Sequence, residues 1–585
     1  MSATYYRNVN PDLLGWMPLS ARRVLEIGCG EGALAAAYRL RNPAAHYTAV
    51  EIHPPSAAVA RGRVDRLIEA DIETMTEAEI GGPFDLALMG DVLEHLADPA
   101  RMLARIHDLL APGGHVVVCV PNIAHWSALR ELMSGRWPGH DSGLFDRTHL
   151  RFFTSESLQQ ALQAAGFRVL KARPRQFLLD EAEAARWIPA LAETAARLGL
   201  DRAAFESRAR ALQYVVAAEK PRPGAPERLT VIHQIAMAPY LMDARTRLPA
   251  AGLDAEPSLS VMQDREKVVL KLLPQDQPKV MVLQRVAIPE RASWIADVAR
   301  IVAAGWILVA ECDDDPALMA RIDPRPQDPD RADLFDTLIG SVHAVQTSTP
   351  RLAARFGAVN PEVAVFPNAA FALPPFPEPR QGPARVFFGA LNREGFSRPV
   401  AAALAPAIAQ YPETEFVVVH DRAFFEALPT ACKTFHKAMP YEAYLDLMGA
   451  CDIALMPLEG SEPELSKSDI KFVEASSRGV ATIASPAVYG DSIRHGQTGL
   501  IAGTLAEWPE RLGALLGDGA YRRGLARAAY EAVREGRMFA HQVAHQRDWY
   551  RGLWARRAAL TEAMVARNPD LRPAIAAARA RLAAR

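Results

Sequence analysis

What the 585-residue sequence lacks limits its possible class. Its five cysteines form no CxxC pair, so we expect neither a disulfide framework nor a zinc site. It has no apolar run of about 18 residues that would predict a membrane-spanning helix, and its start lacks the apolar core of a signal peptide. The formal net charge is −2, so no overall basic field would attract nucleic acid. We therefore predict a cytoplasmic protein with no transmembrane segment, metal or nucleic-acid partner. Peripheral membrane contact and the oligomeric state stay open.

The composition that is present is that of a folded protein with several domains. Hydrophobic residues make up 50% and charged residues 23%, as in globular domains. Residues 219–227 hold three prolines and a glycine, a pattern that continues neither a helix nor a central strand. They predict a linker after a first domain at 1–218.

Short apolar segments alternate with helical patterns on both sides of this linker. Such alternation predicts an α/β fold with mostly parallel sheets. The pattern occurs twice after the linker, and the proline-rich segment 374–383 separates the two halves. We therefore expect one lobe at 228–375, a second at 376–560, and a helical or frayed tail at 561–585.

The first candidate site is a glycine-rich loop that follows a strand and opens a helix. Gly28 and Gly30 would let the backbone approach a ligand closely. Ala33 stands where a dinucleotide site usually has its third glycine. Glu51 ends the next strand, where a carboxylate can bind two ribose hydroxyls, and Asp71 is placed for an adenine amino group.

Glu26 distinguishes between the cofactors that such a loop can hold. A carboxylate beside the loop repels a pyrophosphate and attracts the ammonium and sulfonium charges of S-adenosylmethionine (SAM). Opposite charges ~4 Å apart attract by about 4 kcal/mol at an effective dielectric of 20. The loop therefore favours SAM.

Residues 5–218 resemble the class I SAM-dependent methyltransferases. The matching segments occur in the family's order and are residues 24–32, 84–96, 110–121, 149–154, 165–169 and 212–220. The resemblance implies a Rossmann-like domain with a seven-stranded sheet and SAM as cofactor. It places Glu26, Gly28 and Gly30 at the methionine end, with Asp91 beside the cofactor.

Methyl transfer to a hydroxyl needs a base for the departing proton. The segment 126–153 carries His140, Asp141, Asp146 and His149, of which we predict His149 as the catalytic base. The alternative is that His149 only braces the loop, and His95 is expected to be structural. Five aromatic residues of this region, Trp126, Trp137, Phe145, Phe152 and Phe153, could form an apolar wall over the acceptor. The flanking pattern is similar to small-molecule and sugar O-methyltransferases.

Residues 228–555 resemble the retaining, group-1 type of GT-B glycosyltransferases. The segments that carry the likeness are 387–395, 471–486 and 496–502. It implies a double Rossmann-like, two-lobed region that binds a nucleotide-sugar donor as co-substrate. Glu474 would hold the donor ribose in the catalytic site, Gly389 and Arg393 would lie near the diphosphate, and Lys467 or Lys471 would neutralise it. Ser466 stands where the family's motif has its first glutamate; Glu464 or Asp469 could substitute.

These patterns together predict a bifunctional enzyme that methylates a sugar or glycan and transfers a sugar to a surface polysaccharide or glycoconjugate. The alternative is a methyltransferase whose second region binds glycan without transferring sugar. Methylation of nucleic acid is disfavoured because the sequence has no basic, aromatic patch.

Overall fold

The computed structural model describes residues 9–177, 180–224, 229–235, 243–253, 258–261, 273–284, 290–315, 331–390 and 394–584. The chain forms two compact units, Met1–Ala225 and Pro226–Arg585. None of the helices described in these ranges is both long and apolar enough to span a bilayer.

The first unit is built on a seven-stranded sheet with the order β3-β2-β1-β4-β5-β7-β6. Its strands are β1 (Arg23–Ile27), β2 (His46–Glu51), β3 (Arg66–Glu69), β4 (Phe84–Gly90), β5 (Leu110–Pro121), β6 (Arg168–Arg175) and β7 (Gln213–Glu219). The first five strands pair in parallel, and β7 is antiparallel to both its neighbours. The predicted seven-stranded, Rossmann-like α/β sheet is confirmed.

Nine helices accompany this sheet in the described residues of the first unit. They are α1 (Pro11–Trp16), α2 (Ala33–Arg41), α3 (Pro54–Ala60), α4 (Glu77–Ile80), α5 (Pro99–Leu109), α6 (Trp126–Met133), α7 (Ser155–Ala164), α8 (Glu181–Arg197) and α9 (Arg202–Arg210), with a 3₁₀ turn at Leu93–His95. The helix α5 shows why the sequence folds in this way. Its apolar residues Met102, Leu103 and Ile106 recur at helical spacing and lie in the core against the sheet, and Asp98 caps its first turn.

The predicted linker at 219–227 begins later in the structure. Glu219 still belongs to β7, and Lys220 donates from Nζ to the carbonyl oxygens of His107 and Leu110 at 2.8 and 2.9 Å. Arg222 donates to the carbonyl oxygen of Pro112 at 2.9 Å. These bonds keep residues 220–222 on the first unit although the prolines end the strand.

The second unit contains two six-stranded sheets in which all described pairs are parallel. The first sheet, in the order β13-β12-β11-β10-β8-β9, has β8 (Thr230–Ile235), β9 (Ser258–Val261), β10 (Lys279–Gln284), β11 (Ile307–Cys312), β12 (Ala344–Thr347) and β13 (Val363–Val365). The second, in the order β16-β15-β14-β17-β18-β19, has β14 (Arg385–Gly389), β15 (Glu415–Val419), β16 (Lys433–His436), β17 (Ile453–Met456), β18 (Ala481–Ala484) and β19 (Leu500–Ile501). The two α/β halves expected from the sequence are present, and β9 is a strand that the sequence pattern did not reveal.

The helices of the second unit lie between and beyond these strands. They are α10 (Leu248–Gly252), α11 (Arg291–Ala303), α12 (Arg331–Gly340), α13 (Pro350–Gly357), α14 (Glu394–Ala403), α15 (Ala405–Gln410), α16 (Arg422–Ala427), α17 (Tyr441–Gly449), α18 (Glu462–Leu465), α19 (Ile470–Ser477), the kinked α20 (Pro486–Tyr489), α21 (Glu507–Gly517), α22 (Gly519–Gly536), α23 (Phe539–Ala555), α24 (Arg557–Arg567) and α25 (Leu571–Ala583), with a π-helical turn at Asp243–Arg247.

The end of the chain packs on the first of these two sheets. Met564, Leu571 and Ile575 are buried in one core with Met281 and Trp306. For residues 561–585 the sequence left a helix or a frayed tail open; the structure has helices there because their apolar residues fall on one face.

Candidate active site

A cavity of about 700 Å³ opens at the carboxyl edge of the first unit's sheet. It lies where β1 runs between β2 and β4, the point at which the strand order reverses and at which α/β sheets bind ligands. The six residues that the sequence assigned to the cofactor all line it: Glu26, Gly28, Gly30, Glu51, Asp71 and Asp91.

The glycine loop is shaped by positive φ angles and by a close contact. Gly28 has φ +69°, and a Cβ atom there would lie 2.6 Å from Cγ2 of Val92. Only glycine therefore fits this position. The N–H of Gly30 donates to Oε2 of Glu51 at 2.7 Å.

Glu51 joins the loop to the second strand of the site. Its Oε1 accepts a further bond from the N–H of His53 at 2.8 Å, and the side chain is buried. Each carboxylate oxygen keeps acceptor capacity for a ribose hydroxyl. Because a carboxylate already takes the N–H of Gly30, this N–H is not available to a pyrophosphate. The geometry agrees with the choice of SAM over a dinucleotide.

Glu26 is a buried acid in the same wall. It is 6% exposed and accepts a hydrogen bond from the hydroxyl of Tyr47 at 2.9 Å. Burial raises the pKa of Glu26 to about 8, with Tyr47 opposing and Glu51 adding to the rise. A cation bound beside Glu26 would stabilise the ionised form, so the group is suited to the positive end of a ligand.

Two further acids that the sequence assigned to the cofactor also line the cavity. Asp71 is exposed, and its Oδ1 accepts from the N–H of Glu73 at 2.9 Å. Asp91 has a left-handed backbone with φ 55°, and its Oδ1 accepts from Nε2 of Gln213 at 2.7 Å. Burial raises the pKa of Asp91 to about 6, while Arg175 and Gln213 lower it.

Beside Asp91 three possible metal ligands converge, which are Glu94, His95 and His149. One ligand atom of each lies within 4.8 Å of the others. Glu94 is 1% exposed, and neither of its carboxylate oxygens has a hydrogen-bond partner among the described residues. Burial raises the pKa of Glu94 well above its usual range, and Asp91 adds to this effect.

The backbone explains why these residues meet. The carbonyl oxygen of Glu94 accepts from the N–H groups of Leu150 and Arg151 at 2.7 and 3.0 Å. This contact brings the ring of His149 to 4.8 Å from that of His95, measured between centroids.

In both imidazole rings, Nδ1 lies near a backbone carbonyl oxygen of the protein. Nδ1 of His95 lies 3.2 Å from the carbonyl oxygen of Thr148, and Nδ1 of His149 lies 3.3 Å from that of Leu144. If Nδ1–H donates to these carbonyls, the Nε2 lone pair of each ring is left for a ligand, as in metal sites. Burial lowers the pKa of His149, and His95 lowers it further, so the neutral ring predominates at pH 7.

The other candidate bases of this loop have different positions. Asp141 is exposed and forms an ion pair with Arg147 at 2.9 Å. Asp146 accepts from the hydroxyl of Thr148 at 2.6 Å. His140 is exposed and bonds through its backbone to that of Phe145. His95 and Thr148 line the cavity. His149 is not among its lining residues and contacts the ring of His95 instead.

The predicted aromatic wall is only partly present. Trp137 packs edge-to-face on Phe145 and Phe152, with ring centroids 5.0 and 4.9 Å apart. Trp126 is instead buried against Ile188, and Phe153 lies in the sheet core. The sequence could not separate these roles because all five aromatic residues come from one loop region.

In the second unit, three residues assigned to the nucleotide sugar lie near one another. Nζ of Lys471 donates to the carbonyl oxygen of Gly389 at 2.6 Å. Glu474, one turn further along α19, is 8% exposed and accepts from the hydroxyl of Tyr441 at 2.9 Å. Burial raises the pKa of Glu474, and Lys471 opposes this. Arg393 lies outside the described residues.

The remaining groups of this region bind one another. Lys467 lies 3.7 Å from Asp314. Ser466 is buried, and Glu464 accepts from the N–H of Gly460 at 2.9 Å in a helix cap. This contact does not bring the carboxylate of Glu464 to Glu474, and Ser466 has no carboxylate.

Asp469 precedes α19 and is held by an arginine. Nη1 and Nη2 of Arg537 donate to its two oxygens at 2.7 and 2.8 Å. The cavity beside Glu474 measures about 40 Å³ within the described part of the chain. Pockets for small-molecule ligands typically measure roughly 300–1,000 Å³.

The acidic segment of the first lobe is also internally paired. Glu311 is fully buried, and Arg245 donates to it from Nε and Nη2 at 2.9 and 2.8 Å. Asp315 pairs with Arg355 at 3.0 Å. Arginines from distant segments of the chain therefore bind both of these acids.

Sequence reasoning missed Glu94, Gln213, Arg175 and Tyr441 as parts of these sites. Glu94 is next to His95 in a segment that the sequence had singled out, so its carboxylate could have been considered. The other three come from segments distant in sequence, and only the fold places them here.

Comparisons with known proteins identify the first unit. Residues 5–172 match the family model described as a methyltransferase domain. A ubiquinone biosynthesis O-methyltransferase of Azotobacter vinelandii is 35% identical over 117 residues, which are 18% of this chain and 50% of that protein. A protein of the same name from Aeromonas salmonicida is 28% identical over 171 residues, 28% of this chain and 71% of that protein. The amino-terminal part of the chain thus contains a methyltransferase domain, as the sequence predicted.

A solved structure with similarity across a longer part of the chain is that of S. aureus TarM in complex with Fondaparinux, alpha-GlcNAc-glycerol and UDP. It is 9% identical, covers 48% of this chain and 55% of its own, and has a TM-score of 0.36. The chain spans about half the length of the Azotobacter relative.

Proposed function

We propose that the methyltransferase domain of the first unit transfers a methyl group from SAM to an oxygen atom of its acceptor. One observation carries this proposal: the four acids that the sequence assigns to the cofactor all line a single cavity. Glu26 and Asp91 would face the ammonium and sulfonium charges, Glu51 the ribose, and Asp71 the adenine amino group. The match to a methyltransferase model supports it.

The reaction is a displacement at the methyl carbon. The acceptor oxygen forms a bond to this carbon, and the electron pair of the breaking carbon–sulfur bond goes to sulfur, which becomes neutral. The hydroxyl proton passes to a base, for which we propose Nε2 of His149, with Nε2 of His95 as the alternative. A positioned base contributes roughly 10²–10⁴-fold to such a reaction.

The Glu94, His95 and His149 cluster also fits a divalent cation. A buried carboxylate without a partner and two imidazole Nε2 atoms are a suitable donor set, and both rings are oriented through Nδ1. A bound cation would supply Lewis-acid polarisation that eases loss of the acceptor's proton. In either arrangement the three residues act on the acceptor oxygen, next to the cofactor.

The acceptor is a sugar or glycan hydroxyl in our proposal. Half-exposed Trp137, packed on Phe152, offers an apolar surface near this cluster on which a sugar ring can pack. The named relatives are O-methyltransferases of ubiquinone biosynthesis, so a phenolic hydroxyl is the competing acceptor class. Assays with both acceptor classes separate these alternatives.

Calorimetric binding of SAM and S-adenosylhomocysteine (SAH) to the full chain tests the cofactor assignment. We expect both to bind, with Glu51→Gln weakening both because the ribose contact is lost. Glu69→Gln, at the end of the neighbouring strand and part of an exposed ion pair with Arg61, is the matched control. If neither ligand binds the folded wild-type chain, the proposal is wrong.

For the second unit we propose sugar recognition, with glycosyl transfer from a nucleotide sugar and glycan binding without transfer as the two candidates. The proximity of Gly389, Lys471 and Glu474 supports a site for the nucleotide-sugar donor. Asp469 favours glycan binding alone, because its carboxylate stands at the start of α19, where a diphosphate would have to bind.

Calorimetry with UDP, GDP, dTDP and CMP on the full chain decides between these candidates. Binding of one nucleotide that Glu474→Ala weakens would support glycosyl transfer. Binding of none, together with retention of the chain on immobilised glycan, would support the binding module.

A further inference from the structure

The helix α1 forms part of the wall of the SAM cavity. Asn10 and Leu13 line the cavity, and Asn10 caps the helix by accepting from the N–H groups of Asp12 and Leu13 at 3.1 and 3.2 Å. A Cβ atom on Gly90 would lie 2.8 Å from Cδ1 of Leu13. The helix therefore packs directly on the end of β4, next to Asp91.

A chain of hydrogen bonds connects this helix to Asp91. Nε of Arg175 donates to Oδ2 of Asp12 at 2.7 Å, and Nη1 of Arg175 donates to Oε1 of Gln213. Nε2 of the same Gln213 donates to Oδ1 of Asp91 at 2.7 Å. One arginine thus touches both the helix and the residue that orients Asp91.

The environment fixes this arginine in place. Its side chain is 12% exposed, and its guanidinium lies 4.8 Å from the ring centroid of Phe177, which also lines the cavity. A second contact between α1 and the same strand, Lys171 over the ring of Trp16 at 4.7 Å, holds the far end of the helix.

Asp91 needs such support because its backbone is strained. A non-glycine residue at φ 55° is uncommon and is stabilised only by its surroundings. Its N–H donates to the carbonyl oxygen of Cys119 at 2.9 Å, and Gln213 holds the side chain. The orientation of this carboxylate therefore depends on Gln213, and that of Gln213 on Arg175.

We propose that Arg175 is a positioning residue that couples docking of α1 over the cavity to the orientation of Asp91 toward the sulfonium of SAM. The inference rests on the proposed function of the first unit. Coupling of this kind is reciprocal: closing α1 improves the site for SAM, and bound SAM holds α1 closed. SAH has the adenosine and amino-acid parts of SAM but lacks the methyl group and with it the sulfonium charge, so the coupling acts on SAM far more than on SAH.

The test compares calorimetric dissociation constants of SAM and SAH for the full-length wild type, Arg175→Ala, Arg175→Lys, Gln213→Leu and Asp12→Asn. We expect Arg175→Ala and Gln213→Leu to weaken SAM about tenfold, the effect of one hydrogen bond to a charged group, and to leave SAH nearly unchanged. Arg175→Lys should recover part of the loss. Asp12→Asn changes a side chain that is 23% exposed, and it is the variant that we expect to fold should the others fail to do so.

Hydrogen exchange of α1 gives a second measurement. In the wild type, SAM should slow exchange of the amide hydrogens of residues 12–16. This slowing should be lost in Gln213→Leu. Gln213 bonds to Arg175 and to Asp91 but does not bond to Asp12 on the helix. Arg173→Ala is the matched control, since Arg173 is an exposed arginine of the same strand that lies 3.6 Å from Asp12.

Three results would overturn the inference. One is an equal loss of SAM and SAH affinity in Arg175→Ala, which a purely structural arginine would give. The second is unchanged protection of α1 by SAM in Gln213→Leu. The third, a wild type that binds neither ligand, would overturn the proposed function and the inference with it.

Discussion

Both units place charged groups at the carboxyl edges of their sheets but use them differently. In the first unit, Glu26 is buried beside an open cavity of about 700 Å³, and Glu94 has no partner among the described residues. In the second, Glu311 and Asp469 are each bound by an arginine. Buried polar groups are normally satisfied, so unsatisfied capacity beside a cavity indicates a ligand site, whereas a paired charge indicates an internal contact.

The largest expected effect concerns Glu94, the acid without a partner among the described residues of the first unit. We predict that the chain binds one Mn²⁺ and that Glu94→Gln or His149→Ala abolishes this binding, because each removes one of three ligands. Calorimetry with Mn²⁺ measures this without any acceptor. Glu79→Gln, an exposed acid that forms a helix cap, is the control. If the wild type binds no divalent cation, the three residues serve acid–base chemistry alone.

The next effect concerns Glu51, which serves both the loop and the proposed ribose. Replacement by alanine removes the acceptor of two backbone N–H bonds and of the ligand hydroxyls. Hydrogen bonds to charged groups contribute about 1.5–3 kcal/mol each, so SAM affinity should fall at least 100-fold, by about 3 kcal/mol. A loss below about fivefold would place the ribose elsewhere.

How far the sequence could predict these sites follows from where their residues lie in the chain. Glu26, Gly28 and Gly30 belong to one strand–loop–helix segment, and Glu51 and Asp71 follow the next strands, so a regular fold brings them together. His149 meets Glu94 only because backbone bonds of Leu150 and Arg151 fix an irregular loop. No periodic pattern encodes that contact, so a metal site here could not be predicted from the sequence.

In the second unit, too, local sequence patterns do not show contacts between residues that are distant in the chain. The sequence predicted that Glu474 and Lys471 lie on one helix, and the structure has both of them on α19. It could not show that Asp469 would be paired with Arg537, a residue far along the chain at the end of α22. Long-range ion pairs between irregular segments decide whether such a cleft is available, and they are not visible in local patterns.

A smaller expected effect is the pH dependence that Glu26 confers on the stability of the first unit and on its affinity for SAM. Burial raises the pKa of Glu26 to about 8, so the folded protein without ligand retains a proton below that pH, whereas the unfolded chain releases it above the ordinary value of 4.5. The ligand-free unit should therefore lose stability as pH rises from about 5 to 8. Because SAM binds the ionised form, its affinity should rise by at most about tenfold per pH unit up to pH 8.

Glu26→Gln provides the comparison for this pH effect. It should flatten both profiles, and the difference between the variant and the wild type cancels the titration of the ligand's own amino group. Asp91, with its pKa raised to about 6 by burial, contributes only at lower pH. Parallel profiles for the two proteins between pH 6.5 and 8 would show that Glu26 does not face the cation.

The smallest effect tests whether the second unit's charges only stabilise it. Tyr441→Phe removes the hydroxyl that donates to Glu474 and leaves this buried carboxyl with Lys471 nearby. The free energy of unfolding of this unit in urea should fall by about 1 kcal/mol. Glu442→Gln, on the neighbouring exposed position, should change it little. If Glu474 instead holds the ribose of a nucleotide, Tyr441→Phe would also change the affinity for that nucleotide, and the second unit would then resemble the first in keeping its acid for a ligand.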